Sequence, residues 1–569
     1  MQSLKNWQYS LLLLLTLSVA FVACNNDDEP APVLSITNVS PTTAPLNGTL
    51  TITGTEFGAT PESNTVTFGG NAVATVLTAS PTQLVVRVPA TAQNGAVTVK
   101  TGTQTATSTQ QYQIGAREVV PVSGSITANT TWSADKIYVL RGYVLVDNNA
   151  VLTIQPGTII KGAARSEDPS GGQRAASLII RPGAKIEARG TAQAPIVFTS
   201  NQPAGQRARG DWGGLIIHGK APHNREAARN LEGDLPGPMG TFNEPTDNSG
   251  TLQYVRIEFP GIAITANNEI NGLTLYGVGS GTTINYIQVS YGGDDAYEWF
   301  GGSVNAKYLV AYRTFDDDWD TDWGFTGKVQ YAVSLRDPNV ADVSGSNGFE
   351  SDNFNNGFVQ TPAANAGLPQ TAPVFANVSN FAFSGAPSTA NAPGGSGPYQ
   401  SAMHLRRNTA ISIFNSLFVG YPEGLRLDSE TSVTYASTLD NATAERMQLR
   451  GIVLANTGVT SSSTAIPLRG FGSVTNAQAQ AFFNTAAFSN QVVASADIAT
   501  LLLNTQSFNL TGTPNFLPQA GSPLLTGGVR TGKLASDTFF DNVTFRGAFG
   551  TTDWTLGWCN WDPINTPYN

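Results

Sequence analysis

The sequence contains very little cysteine: only Cys24 and Cys559 occur among 569 residues. Small exported domains often depend on disulfides for stability. If Cys24 carries another modification, Cys559 has no partner, and no intramolecular disulfide can form. The chain must then be stabilised by a buried core, for which its length is ample, and more than one domain is expected.

Basic residues and long hydrophobic runs are also scarce. Lysine and arginine number 31 against 41 acidic residues, which gives a formal net charge of -10. This balance argues against nucleic acid as a partner, because nucleic acid binding requires a basic face. The apolar run Leu11–Ala23 is shorter than the roughly 20 residues that a membrane-spanning helix needs. Nucleotide-binding and nucleophile-elbow motifs are missing as well.

The N-terminal segment carries signals for export. Residues 1–23 combine a basic start at Lys5, an apolar middle and small residues before Cys24, as in a signal peptide. The stretch Phe21-Val22-Ala23-Cys24 resembles a bacterial lipobox, which implies lipidation of Cys24 and a membrane anchor. The acidic linker 24–31 resembles the surface-export signal of Bacteroidetes-type lipoproteins, which implies the cell surface of the outer membrane. The alternatives are an ordinary cleaved signal peptide and a solvated linker.

Residues 32–115 alternate between apolar and polar positions in short runs separated by turn residues. This period of two predicts a small β-sandwich. The stretches Gly48–Gly58, Val66–Gly70 and Val86–Pro89 resemble those of an IPT/TIG domain, an Ig-like fold. The resemblance implies a spacer or binding module rather than an enzyme.

A longer rhythm runs through residues 120–569. Tyr286, Tyr308 and Tyr331 recur at spacings of 22 and 23 residues, each within a strand-like run. A strand–turn repeat of this size predicts a parallel β-helix, and we expect it to be right-handed. The alternative is an array of β-sandwiches. Asn476–Asn484 and Ala494–Asn504 predict short helices in a C-terminal capping region. The predicted fold class is therefore all-β: an Ig-like sandwich followed by a β-helix with a few short helices.

Acidic residues concentrate in three neighbouring repeats and suggest a metal site. Glu298 and Asp322 are 24 residues apart, close to the repeat length, so we expect them to stack on adjacent coils. Stacked carboxylates repel each other unless a cation or proton intervenes, and Ca²⁺ prefers such oxygen ligands. The spacing does not match an EF-hand, since Gly324 is one place late. The candidate Ca²⁺ ligands are Asp316, Asp318, Asp320, Asp322, Glu350 and Asp352.

Two other interpretations of these acids stay open. Clustered carboxylates serve polysaccharide-cleaving enzymes, which place a pair around the glycosidic bond; the candidate catalytic residues are Asp294, Asp295, Glu298 and Asp322. Alternatively the acids are structural and pair with basic side chains, for which the candidates are Arg406, Arg407, Arg426 and Lys328. Aromatic residues beside the acids predict a sugar-stacking surface: Tyr297, Trp299, Trp319 and Trp323.

The C-terminal region resembles a group of uncharacterised exported β-helix lipoproteins of bacteria. The motifs that carry this resemblance are Gly210–Ile217, Asp316–Asp320, His404–Thr409 and Gly547–Gly550. The resemblance implies fold and compartment but no reaction. We therefore expect a surface lipoprotein that binds glycan or another extracellular polymer without catalysis. The alternative is a polysaccharide lyase or hydrolase that uses the clustered carboxylates.

Overall fold

The computed structural model describes residues 33–265, 268–353, 367–384, 397–429, 438–458 and 466–569. The predictions for residues 1–23, the linker 24–31 and Cys24 lie outside the described residues. The chain forms two compact units: most of 33–113 belongs to the first, and Ile114–Asn569 makes up the bulk of the second. No helix within the described ranges is long and apolar enough to cross a membrane.

The first unit is the predicted Ig-like sandwich. One sheet has the strand order β1-β3-β7-β6, and β8 pairs antiparallel with β4 and β9 in the other. Alternate residues of each strand face the core, where Ile52, Val66 and Val86 are fully buried. The strands of this region are β1 (Ser35–Ser40), β2 (Thr43–Ala44), β3 (Thr49–Thr55), β4 (Asn64–Gly69), β5 (Ala72–Val73), β6 (Thr75–Ser80), β7 (Gln83–Arg87), β8 (Gln93–Thr101) and β9 (Gln104–Ile114), with a 3₁₀ helix at Pro61–Ser63.

The second unit is a parallel β-helix in which each coil contributes strands to three columns. Its strands are β10 (Glu118–Ile126), β11 (Thr130–Trp132), β12 (Lys136–Val146), β13 (Val151–Ile154), β14 (Ile159–Gly162), β15 (Ser177–Ile180), β16 (Lys185–Arg189), β17 (Ile196–Ser200), β18 (Gly214–His218), β19 (Gly250–Glu258), β20 (Ala263–Thr265), β21 (Asn268–Glu269), β22 (Leu273–Tyr276), β23 (Thr283–Ser290), β24 (Tyr297–Phe300), β25 (Asn305–Tyr312), β26 (Trp319–Asp322), β27 (Lys328–Leu335), β28 (Phe349–Ser351), β29 (Val374–Phe381), β30 (Ser401–Leu405), β31 (Ser412–Phe414), β32 (Leu417–Val419), β33 (Glu423–Ser429), β34 (Leu449–Arg450), β35 (Val453–Ala455), β36 (Leu468–Gly472) and β37 (Gln491–Val493). A small hairpin, β20–β21, pairs antiparallel.

The repeated tyrosines form one corner of successive coils. Tyr254, Tyr286, Tyr308 and Tyr331 each adopt a positive φ, between 48° and 63°, which turns the chain from one column into the next. Their rings stack with centroid distances of 4.3, 4.3 and 4.9 Å. These distances match the spacing of neighbouring coils, about 4.8 Å. The tyrosine spacing therefore reports the coil period, and the prediction of a parallel β-helix is confirmed.

The C-terminal segment lies across several coils. Side-chain amides on the coils bond to its backbone: Asn415 Oδ1 accepts from Val529 N (2.7 Å), Gln330 Oε1 from Asp541 N (2.8 Å), and Gln288 Oε1 from Asn560 N (2.8 Å). The helices of the unit are α1 (Thr438–Thr443) and α2 (Asn476–Phe483), with 3₁₀ helices at Arg165–Glu167, Ala486–Phe488, Ser495–Leu501, Pro523–Leu525 and Gly532–Leu534. The helix predicted at 476–484 is thus confirmed and the one at 494–504 is a 3₁₀ turn.

Candidate functional site

One column of strands, which we call the site column, consists of β22, β24, β26, β28, β30, β33 and β36. Strand pairing aligns one outward position of each strand into a single row. Because side chains alternate across a strand, their neighbours in sequence point into the core. The row reads Thr274, Glu298, Asp320, Glu350, His404, Arg426 and Arg469, so its charge changes from acidic to basic along the solenoid.

The register corrects the predicted stacking of Glu298 on Asp322. Glu298 is the register partner of Asp320, and Asp322 is that of Phe300. The physical reason is the coil length: Tyr297 and Trp319, the first residues of β24 and β26, are 22 residues apart, so a spacing of 24 shifts the alignment by two. A shift of two residues keeps the same face but moves the side chain along the strand.

A cavity of about 770 Å³ lies over the site column and has two chemically different ends. The end that we call the acidic end is lined by Glu232, Glu269, Asp294, Asp295, Glu298, Asp316, Asp317 and Asp320. The end that we call the basic end is lined by Glu350, His404, Arg406, Arg407, Arg426, Asp428 and Phe471. From β24 to β36 the site column takes five strand steps, or about 24 Å, so the surface suits an extended ligand.

Carboxylates at the acidic end converge closely enough to share a cation. Oxygen atoms of Asp295, Glu298 and Asp320 lie within 4.8 Å of one another, as do those of Asp294, Asp295 and Asp316. Among the described residues no lysine, arginine or histidine forms an ion pair with these five. Oδ1 of Asp316 and Oδ1 of Asp320 are buried without a hydrogen-bond donor from the described residues. Burial and the neighbouring carboxylates raise the pKa of all five well above the ordinary value.

Two of the acids also belong to a hydrogen-bond ladder between coils. Asn271 Oδ1 accepts from Asp295 N (3.2 Å), and Asp295 Oδ1 accepts from Asp317 N (2.8 Å). Asp317 Oδ1 accepts from Asn347 N, and Asn347 Oδ1 accepts from Ser401 N (3.1 Å). Asparagine accepts at the first and last positions of the ladder and aspartate at the two between them, so the ladder itself requires only an oxygen acceptor. Oδ2 of Asp317 also accepts from Asn347 Nδ2 (3.4 Å), whereas Oδ2 of Asp295 adds negative charge that the ladder does not use.

Other members of the predicted Ca²⁺ set are paired with arginines, which corrects that prediction for Asp318, Asp322 and Asp352. Asp318 is 1% exposed at its side chain and bonds to the fully buried Arg336 (2.9 Å). Asp322 lies 3.3 Å from Arg225, although burial outweighs this pairing and raises the pKa of Asp322 to about 6.

Asp352 pairs with two consecutive arginines. Arg406 Nε and Arg407 Nη1 lie 2.8 and 2.6 Å from its carboxylate oxygens. Arg406 also pairs with Glu350. Against the opposing effect of burial, Arg406 and His404 lower the pKa of Glu350 to about 2. The structural interpretation is thus correct for Arg406 and Arg407. Arg426 and Lys328 pair instead with Glu423 and Asp537.

The basic end is an ordered ion-pair network. His404 lies between two acids, with Nε2 3.3 Å from Asp428 Oδ2 and Nδ1 3.6 Å from Glu350 Oε2. Glu423 accepts two bonds from Arg426 (2.7 and 2.9 Å) and one from Arg469. Charge at this end is therefore largely compensated, whereas charge at the acidic end is not.

The four aromatic residues predicted to stack on sugars are buried, so this prediction is wrong. Exposure is 0% for Tyr297, 1% for Trp299, 0% for Trp319 and 4% for Trp323. Strand alternation turns the first three into the core, where Tyr297 stacks on Trp299 (5.9 Å) and Trp319 (5.2 Å). Trp323 packs against Phe300 at 4.4 Å.

Several cavity residues escaped the sequence analysis. Glu232 and Glu269 come from excursions of the chain that fold back over the site column, and burial raises the pKa of Glu232 to about 8. Phe471 is 46% exposed and lies in β36, far along the chain from the acidic repeats. Phe471 is the register partner of Asp428 in the neighbouring strand. An alignment of the outward-facing positions of neighbouring strands would therefore have identified Phe471.

Comparison with known proteins identifies both domains by sequence. The IPT/TIG domain model matches residues 34–114, and the model described as a pectate-lyase like beta helix domain matches residues 124–500. Comparison with curated proteins gives no match.

Solved structures match only a small part of the chain. An auxiliary nutrient binding protein from Bacteroides thetaiotaomicron VPI-5482 is 22% identical, with 15% of this chain and 22% of that chain covered and a TM-score of 0.15. An auxiliary nutrient binding protein from Bacteroides ovatus ATCC 8483 is 21% identical over 15% and 21%, with a TM-score of 0.14. The chain thus spans less than a quarter of the length of these two proteins. The β-helix model, in contrast, matches more than half of the chain, and the chain belongs to the family of pectate-lyase-like β-helix domains.

Proposed function

We propose that the chain binds an extracellular polysaccharide in the cavity of its β-helix, without turnover, and that a bound Ca²⁺ takes part. The observation that carries this proposal is the convergence of Asp295, Glu298 and Asp320 within 4.8 Å with no basic partner among the described residues. Oxygen-only ligands of this kind suit a hard cation. Burial and the repulsion between the carboxylates raise the pKa of these acids, and a bound cation relieves the repulsion.

The shape and polarity of the cavity support a polymer of sugars as the ligand. The cavity extends across coils and combines carboxylates, guanidinium groups, amides and one exposed aromatic ring. Such a mixture provides donors and acceptors for hydroxyl groups along an extended chain. The ion pairs at the basic end hold their side chains in place before a ligand arrives, which lowers the ordering cost of binding.

Presentation at the cell surface is part of the same proposal. The apolar segment before Cys24 and the acidic residues after it support a lipid anchor in the outer membrane. Metabolic labelling with a radioactive fatty acid tests this: the native chain is expected to incorporate label and the Cys24→Ser variant is not. Labelling of both proteins, or of neither, contradicts the anchor.

A panel of polysaccharides tests the proposed binding. Pectate, alginate, xylan, β-glucan and mannan are incubated with the protein in Ca²⁺ and in a chelator, and both binding and product formation are measured. We expect at least one polymer to bind in Ca²⁺, weaker binding in chelator, and no shortened products. An Asp320→Asn variant should bind like the chelated protein.

The panel also decides a second candidate, a polysaccharide hydrolase. This candidate is favoured by the raised pKa of Glu298, because a glycosidase needs a protonated general acid with a second carboxylate near it. Product formation that Glu298→Gln abolishes would establish the hydrolase and overturn the binding-only proposal.

A further inference from the structure

The basic end of the cavity holds one aromatic side chain that solvent reaches. Phe471 lines the cavity and keeps 46% of its surface exposed, although it is a large apolar residue. The guanidinium groups of Arg426 and Arg469 lie 5.6 and 5.5 Å from the centre of its ring. Since Glu423 bonds to both arginines, the ring is held beside a fixed and partly neutralised network.

Polar groups around Phe471 are suited to hydroxyl groups rather than to a charged ligand. Asp428, the register partner of Phe471, is only 5% exposed and lines the cavity. Its Oδ2 faces His404, while its Oδ1 has no hydrogen-bond partner among the described residues. A ligand hydroxyl can donate to this carboxylate and accept from a guanidinium N–H, because each guanidinium has more donors than Glu423 uses.

We infer that Phe471, Asp428 and Arg426 form a subsite for an uncharged pyranose unit of the bound polysaccharide. The apolar face of the sugar ring packs on Phe471, and its hydroxyls bond to Asp428 and Arg426. The inference rests on the proposed binding function and adds the ligand class at this end. In this subsite the ring of Phe471 lies about four strand steps, or roughly 19 Å, from Asp320. Cation-dependent and stacking contacts therefore fall on different units of the polymer.

Titration calorimetry with defined oligosaccharides tests the subsite. The probes are cellohexaose, xylohexaose, mannohexaose and, as an anionic comparison, hexagalacturonate, each in Ca²⁺ and in chelator. We expect Phe471→Ala to weaken binding of a neutral hexasaccharide about tenfold and Phe471→Trp to restore it. The factor should be the same with and without Ca²⁺. Leu556→Ala, which truncates a side chain that is 63% exposed and does not line the cavity, is the matched control.

The outcomes separate this inference from the function on which it rests. If Phe471→Ala binds a neutral hexasaccharide as tightly as the native protein, the subsite is overturned while polysaccharide binding stands. Binding of hexagalacturonate alone overturns the uncharged ligand class. If none of the probes or polymers binds the native protein, the proposed function falls and the subsite falls with it. Far-UV circular dichroism of each variant confirms that the fold is intact.

Discussion

Asp318 and Asp320 are two residues apart, yet they lie in opposite electrostatic environments. Asp318 bonds to the buried Arg336, to Thr314 Oγ1 (3.1 Å) and to Tyr421 OH (3.2 Å). Asp320 faces the cavity, where its neighbours are other carboxylates and its Oδ1 has no donor from the described residues. The first is a closed structural ion pair and the second is an open charge. The same residue type therefore forms an ion pair in the core at one position and, in the proposed function, contributes to ligand binding at the other.

The largest effect is expected when the closed pair is broken. Arg336→Met leaves Asp318 buried with no cation, which should lower the free energy of unfolding by about 3–5 kcal/mol. Urea denaturation measures this difference. Lys307→Met is the matched control, because the partner of Lys307, Asp541, has a side chain that is 49% exposed and such pairs contribute only about 0–1 kcal/mol. Equal stability of the two variants would contradict the structural role of Arg336.

Lower pH should stabilise the fold through buried acids whose pKa is raised, which is the opposite of ordinary acid denaturation. Burial raises the pKa of Asp317 to about 7 and that of Asp322 to about 6, against 3.8 in an unfolded chain. Between these values the folded state binds more protons than the unfolded state, so stability falls as pH rises. Without divalent cations, we expect these two groups to lower the free energy of unfolding by about 4 kcal/mol between pH 5 and pH 8.

Added Ca²⁺ distinguishes this linkage from a general effect of pH. A cation at the acidic end replaces the protons there, so saturating Ca²⁺ should remove the part of the loss at pH 8 that comes from Asp317, whereas Asp322 lies outside the cavity lining. Thermal denaturation at pH 5 and pH 8, with Ca²⁺ or chelator, measures both effects. If the free energy of unfolding instead rises with pH in chelator, the negative charge of these acids is compensated by other groups, and the predicted linkage is contradicted.

Removal of one open charge should weaken the cation site without loss of fold. Asp320→Asn keeps the size of the side chain but removes a negative ligand, and we expect Ca²⁺ affinity measured by calorimetry to fall about tenfold, or about 1.4 kcal/mol. Asp497→Asn, at an exposed position of a 3₁₀ helix, is the matched control. Unchanged affinity in Asp320→Asn would exclude this carboxylate from the site.

The sequence predicted the repeat far better than the site. Tyr286, Tyr308 and Tyr331 report the coil period directly, because each occupies the same corner. The alignment of Glu298 with Asp322 was wrong because a two-residue difference in loop length is invisible until the strands pair. The prediction of a sugar-stacking surface failed for a related reason. Side chains alternate between the core and the outer face of a strand, and the sequence did not show at which residue each strand begins.

The remaining site residues depend on long-range packing. Arg336, which neutralises Asp318, follows a different strand, and Arg225 and Glu232 reach the acidic repeats from a distant excursion. Such contacts have no local sequence signal. The acid-rich segment 294–322 contains both the carboxylates that converge at the acidic end and Asp318 and Asp322, which pair with arginines.

The smallest effect is expected at Asp317, which contributes to both environments. Its Oδ1 accepts from Asn347 N in the inter-coil ladder, a role that asparagine performs at position 347 itself. At pH 5, where the raised pKa keeps Asp317 protonated, Asp317→Asn should therefore change the free energy of unfolding by no more than about 0.5 kcal/mol. Asp317→Leu removes the acceptor and should cost about 1–3 kcal/mol, because a buried N–H loses its partner. Equal losses in both variants would mean that the charge of Asp317, not its oxygen acceptor, supports the coil, and Asp317 would then belong with Asp318 rather than with Asp320.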